Sequence, residues 1–159
     1  MNKAYLLLGS NIGDTKKNLN KAKKQIENKI GSVTRSSSLY STKAWGYEDQ
    51  DDFMNQVLIV TTALSSIETM MRILEIEKNM GRVRTLKNAP RLIDIDILFF
   101  NKEIIHTEDL IIPHPLMQKR KFVMVPLNEL SPNFIHPVLK KNIHQIMSSC
   151  KDKLTVNKI

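Results

Sequence analysis

Two acids set in an apolar run, Asp94 and Asp96, are the residues best placed to do chemistry in this chain. They stand in Pro90 to Phe100, Pro-Arg-Leu-Ile-Asp-Ile-Asp-Ile-Leu-Phe-Phe, a run rich in β-branched and aromatic residues that reads as a strand. Side chains alternate along a strand, so the two carboxylates share a face, with Cα atoms about 6.5–7 Å apart. Ile93, Ile95, Ile97 and Phe99 are then expected on the opposite face as core. Two carboxylates side by side on an apolar strand repel each other, and burying them unpaired favours protonation of one. A divalent cation removes that conflict, and magnesium favours one or two carboxylates completed by substrate phosphates. The pair alone fits a solvated sheet edge equally well. The flanks favour the cation: Arg91 stands just before the acids, and Gly81-Arg82-Val83-Arg84 stands about ten residues earlier. Acids for metal with arginines beside them form a set suited to a polyphosphate.

The elements that must position these residues follow from periodicity. Ala4–Leu8 reads as a buried strand ended by Gly9-Ser10-Asn11. A helix over Lys16–Lys29, capped by Asp14 or Thr15, turns Leu19, Ala22, Ile26 and Ile30 to one side, and Gly31 ends it. Val33–Tyr40 reads as a strand, Ser41–Asp52 as a loop, and Phe53–Thr62 as a strand with Phe53, Asn55, Val57, Ile59 and Thr61 on one face. Ser65 or Ser66 opens a second helix with Glu68 as capping-box partner. Its apolar stripe is expected to be Ile67, Met70, Met71, Leu74, Ile76 and Met80. Glu77 falls late in it, where the macrodipole disfavours an acid and a cation is wanted nearby. Lys102–His106 is expected as a returning hairpin strand. Leu116–Lys121 and Phe122–Leu130 are expected as short helices broken near Pro126, and Ile143–Met147 as a helical piece before a weak final strand or frayed end. His106, His136 and His144 show no metal spacing and read as surface. The order β-α-β-β-α-β predicts an α+β fold, a ferredoxin-like core with C-terminal additions, in one domain spanning 1–159.

The chain has 159 residues, 42% of them hydrophobic, enough for one domain with a core. The single cysteine, Cys150, excludes an internal disulfide and agrees with a reducing compartment. No run approaches the ~20 apolar residues of a membrane span, so a cytoplasmic location is expected. A net charge of +8 suits an anionic partner. No RNA-recognition run of interleaved aromatic and basic residues is present, so charge alone does not point to nucleic acid.

Taken in order, several stretches resemble the 6-hydroxymethyl-7,8-dihydropterin pyrophosphokinase family. They are Leu8-Gly9-Ser10-Asn11, Tyr40-Ser41-Thr42, Gly46, Phe53-Met54-Asn55, Glu77, Gly81-Arg82-Val83-Arg84, Pro90-Arg91-Leu92-Ile93-Asp94-Ile95-Asp96-Ile97, Pro113-His114-Pro115, Arg120 and Phe122-Val123. The resemblance implies transfer of pyrophosphate from ATP to the pterin's hydroxymethyl oxygen, with AMP as the other product. Asp94 and Asp96 would hold two Mg²⁺ ions, and Arg82 and Arg91 would place charge on the phosphates. Glu77, Arg84, Arg91, Ile97, His114 and Arg120 match ATP-binding positions. Phe53 and Phe122 match the rings that sandwich the pterin, Asn55 its hydrogen-bonding partner, and Thr42 and Trp45 the loop that completes its pocket. The expected partners are these two small molecules, without nucleic acid or membrane, acting on a monomer. The family usually has Trp-Gly-Pro-Arg where this chain has Asn88-Ala89-Pro90-Arg91, and it favours a basic residue where this chain has Asp109.

Overall fold

The computed structural model describes residues 1–43, 51–81 and 92–159. Its centre is strand β1 (Asn2–Ser10), in which every residue from Ala4 to Ser10 is buried. A strand apolar on both faces needs cover on both, and this one has it. β1 pairs antiparallel with β4 (Phe53–Thr62) on one side and with β5 (Asp94–Phe100) on the other. β4 in turn pairs with β2 (Gly31–Ser36) along one half and β3 (Tyr40–Thr42) along the other. The strand expected over Val33–Tyr40 is thus two strands, interrupted at 37–39, where Ser37 accepts the Val57 N–H through its hydroxyl. A last strand, β8 (Val156–Lys158), adds antiparallel to β3. The result is a mixed α/β structure around an antiparallel sheet, with four helices among the described residues.

Helices α1 (Thr15–Lys29) and α2 (Ser66–Asn79) cover one face. Leu6, Leu8, Leu58, Val60, Ile95 and Ile97 meet Leu19, Ala22, Ile26, Ile73 and Ile76 there. Asp14 caps α1 by accepting the Lys17 N–H. Gly31 does not end that helix; Ile30 does, and Gly31 opens β2 at once. A Cβ on Gly31 would lie 2.1 Å from the Thr61 carbonyl oxygen, so the close approach of β2 to β4 requires glycine here. Ser65 and Glu68 close a reciprocal capping box on α2. The buried side of α2 differs from the expected stripe: Ser66, Thr69, Ile73, Ile76 and Glu77 face inward, whereas Ile67, Met71 and Leu74 are exposed.

On the other face, Tyr5, Leu7, Val57, Ile59, Leu98 and Phe99 pack against α3 (Lys121–Leu130) and α4 (Ile143–Ser149). Phe99 lies here and not with the isoleucines, because the β1–β5 register slips between Tyr5 and Leu6, which reverses the alternation. α3 runs through Pro126 without a break. The proline removes one helical hydrogen bond, but Val123, Met124, Leu127 and Leu130 are all buried, each worth roughly 1.5–3 kcal/mol, and that offsets the loss. β6 (Ile105–His106) and β7 (Ile111–Ile112) form a separate small hairpin. His136 is not on the surface: it is 4% exposed, packs edge-on to Phe99, and accepts the Val138 and Leu139 N–H groups on Nδ1.

Candidate active site

Register brings the predicted residues together. Gly9 of β1 lies opposite Asn55 of β4 on one side and Asp94 of β5 on the other. Two residues along, Leu7 lies between Val57 and Asp96 in the same way. Partners directly opposite in a sheet share a face about 4.5–5.5 Å apart. Having no side chain, Gly9 leaves an opening between the amide and the acid. A Cβ there would stand 2.7 Å from Asn55 Nδ2.

That opening is the floor of a cleft lined by Leu7, Gly9, Thr42, Lys43, Phe53, Asn55, Asp94, Asp96, Arg120 and Phe122. Its volume is about 550 Å³, counting the space open to solvent. Asn55 is buried; its Nδ2 donates to the Leu8 carbonyl at 3.2 Å, while its Oδ1 has no hydrogen-bond partner among the described residues. An unsatisfied buried acceptor costs about 1–3 kcal/mol, so this oxygen suits an incoming N–H donor. Phe53 and Phe122 stand on separate elements, β4 and the first turn of α3, with the Arg120 guanidinium 5.8 Å from the Phe122 ring centre. Thr42 belongs to β3 and not to a loop, and its hydroxyl donates to the Thr155 carbonyl.

A second cleft lies around the edge of β5, lined by Met70, Ile73, Leu74, Ile95, Asp96, Ile97, Asp109, Leu110, Ile111 and His114. Asp96 lines both clefts. Ile97 and His114, predicted for the nucleotide, fall in the second. Burial pushes the His114 pKa down to about 4, helped by the Arg120 charge and opposed by Asp94. Its Nδ1 accepts the Leu116 N–H at 3.2 Å, which leaves Nε2 as the donating nitrogen. Glu77 lies in neither lining. It is 1% exposed behind β5, where its carboxylate accepts the Ile95 N–H at 2.9 Å. A backbone donor therefore meets the acid late in α2. Trp45, Arg82, Arg84 and Arg91 lie outside the described residues.

Leu74, Leu110 and Ile111 were not among the predicted site residues. Leu74 and Ile111 are partly exposed apolar side chains, and periodicity counts such residues as core or surface without seeing a slot. Asp94 and Asp96 make a two-carboxylate set; no group of three or more His, Cys, Asp or Glu side chains able to hold a metal occurs among the described residues. That donor set fits magnesium completed by phosphate and water, and does not fit a closed protein cage.

The family model described as 7,8-dihydro-6-hydroxymethylpterin-pyrophosphokinase matches residues 5–132. The chain is 42% identical over 141 residues to 2-amino-4-hydroxy-6-hydroxymethyldihydropteridine pyrophosphokinase of Aquifex aeolicus, covering 89% of this chain and 88% of that one. It is 44% identical over 130 residues to the Bacillus subtilis protein of the same name, covering 81% and 78%. With the folic acid synthesis protein FOL1 of Dictyostelium discoideum it shares 44% identity over 138 residues, 87% of this chain but 21% of that longer one. The fold matches HPPK-DHPS of Plasmodium falciparum with a TM-score of 0.78 at 20% identity, covering 92% of this chain and 44% of the other. The chain therefore belongs to the 7,8-dihydro-6-hydroxymethylpterin-pyrophosphokinase family, whose members transfer pyrophosphate from ATP to the hydroxymethyldihydropterin in folate biosynthesis.

Proposed function

We propose that this chain carries out its family's reaction with the pterin in the cleft between β4 and α3 and ATP in the cleft around β5. The observation that carries the reading is that the two clefts meet at Asp96, with Asp94 beside it. A hydroxymethyl group and a triphosphate entering from opposite sides would meet at these acids. Asn55 Oδ1 would accept an N–H of the pterin edge, and the Phe53 and Phe122 rings would stack on its faces. Leu74, Ile97 and Ile111 would pack on the adenine, and His114 would donate through Nε2. Thr42 lines the pterin cleft as part of β3, and Trp45, outside the described residues, would help to complete that pocket. Asp94 and Asp96 would hold two Mg²⁺ ions, which supply charge neutralisation of the triphosphate and a lowered pKa for the attacking hydroxyl. Arg82, Arg84, Arg91 and Arg120 would add positive charge around the phosphates, strongest where it develops in the transition state. Glu77 acts from behind, fixing the strand that carries the acids.

We read the core as ferredoxin-like, supported by the strand order β5-β1-β4 with β2 and β3 together beyond β4, and by α1 and α2 on one face. We further read 1–159 as one domain acting as a cytoplasmic monomer, where ATP is at hand. Among the described residues no helix is long and apolar enough to cross a membrane. The test is incubation with ATP, magnesium and the reduced hydroxymethylpterin. AMP and a pterin diphosphate in equal amounts are expected; ADP in place of AMP would refute pyrophosphate transfer.

A further inference from the structure

We infer that Asp152 is a positioning residue for the pterin cleft, acting through the first turn of α3. Asp152 lies beyond the residues matched by the family model, which end at 132. α3 begins at Lys121, and its flanking residue Arg120 makes no side-chain cap hydrogen bond. The first amides of a helix lack internal partners and present partial positive charge. Here the Lys121 N–H donates to Asp152 Oδ2 at 3.0 Å, from 31 residues away, while Asp152 Oδ1 accepts the Leu154 N–H at 3.0 Å. One carboxylate thus fixes both the start of α3 and the turn of its own segment. Three residues on, the Thr155 carbonyl accepts the Thr42 hydroxyl at 3.1 Å, and β8 pairs with β3, Val156 opposite Thr42.

The segment from Asp152 to Lys158 therefore ties two walls of one cleft to each other: β3, with Thr42, and the first turn of α3, with Phe122. A ring at the second helical position has no stable direction if that turn frays. Arg120 is held independently, because its N–H donates to the Met117 carbonyl. The far end of α3 is held as well. Glu129 accepts the Tyr40 hydroxyl at 2.6 Å and the Ser38 N–H at 3.1 Å. Loss of Asp152 thus loosens one turn and leaves the helix docked.

This rests on the cleft being the pterin site, so the experiment separates the two ideas. In Asp152→Ala, the pterin KM is expected to rise about five-fold, the size of a lost helix cap. The MgATP KM should change by less than about two-fold. Asp152→Asn keeps one acceptor oxygen where the carboxylate offers two, so it should recover only part of that loss. Independently of activity, amide exchange at Phe122, Val123 and Met124 should quicken in Asp152→Ala, with the β1 amides unchanged. An unchanged pterin KM in Asp152→Ala, or in Asp152→Asn should the alanine variant not fold, overturns the inference. So does a pterin KM in Asp152→Asn no lower than in Asp152→Ala, or equal losses for both substrates. If the wild-type protein made no AMP, the reading of the cleft would fall, and the exchange measurement would still judge the cap.

Discussion

The two clefts that meet at Asp96 are built from different materials. On the β4–α3 side, a buried amide with an unpartnered Oδ1 and two aromatic rings line a floor opened by Gly9. On the β5 edge, the lining is mostly aliphatic, with Asp109 and a neutral, half-buried His114 as its polar members besides the shared Asp96. A site that must satisfy a buried polar group rejects analogues lacking the matching donor by large factors, whereas an apolar slot discriminates weakly. The first cleft is thus suited to choosing its heterocycle. On the proposed assignment of ATP to it, the second would take much of its hold from charge on the phosphates, and its base selectivity should be modest.

The largest effect is expected where the clefts join. Asp94→Asn or Asp96→Asn should lower kcat by about a thousand-fold or more, since each removes a ligand for the charge that organises both substrates. Thermal melting should stay near wild type. Chelation of magnesium should do the same to the unaltered protein. Near-normal turnover in either variant would break the idea of a shared wall.

Next comes the amide. Asn55→Ala should weaken pterin binding by roughly ten- to a hundred-fold, the range of a buried hydrogen-bonding group. Nucleotide binding, measured by titration calorimetry, should be nearly unaltered. Equal losses in both would mean that Asn55 supports the sheet and does not read the pterin. Gly9→Ala should approach the same result, because the added methyl displaces the Asn55 amide.

Much of this arrangement was legible in the chain, and the reason is local. Strand alternation alone set Asp94 with Asp96 on one side of their strand and Asn55 with Val57 on one side of theirs, which the pairing with β1 makes a single face. The capping box narrowed the start of α2 to Ser65 or Ser66, of which Ser65 is the cap. What was not legible depends on distant partners. Glu77 is buried because a strand N–H eighteen residues on meets it. This turns α2 so that Met71 and Leu74 lie outside the expected core stripe. One register slip in β5 moves Phe99 to the other face. The tail, expected as a weak strand or frayed end, is a strand, β8, and its pairing with β3 is what no pattern in 151–159 announces. The arginine-bearing segment was read from its composition, and Arg82, Arg84 and Arg91 lie outside the described residues.

Leu74 sharpens the contrast from the apolar side. It is 44% exposed, so Leu74→Ala should cost little stability and weaken nucleotide binding by only about three- to ten-fold, the scale of losing part of one apolar contact. Pterin binding should be unmoved, and ATP and GTP should be affected alike. A large loss confined to ATP would show that the slot reads the base after all.

The smallest effect on the contrast should come from a residue that lines neither cleft. His136 packs edge-on to Phe99, at the slip in β5, the strand common to both linings. Burial pushes its pKa from an ordinary 6.5 down to about 4. Its stabilising contribution is therefore complete above pH 6.5, where folded and unfolded chains both keep it neutral. As pH falls from 6.5 toward 4, the unfolded chain takes up the proton first, and stability falls by at most about 3 kcal/mol. His114, shifted the same way, adds to that slope. Urea midpoints at pH 7 and pH 4.5 should differ less in His136→Asn than in wild type, since an asparagine can still accept the Val138 and Leu139 amides but does not titrate. Because the loss acts on the strand both clefts share, acid should weaken the two ligands in parallel. A pH 4.5 sample that loses one ligand and keeps the other would place the sensitivity within that cleft and not in the fold below it.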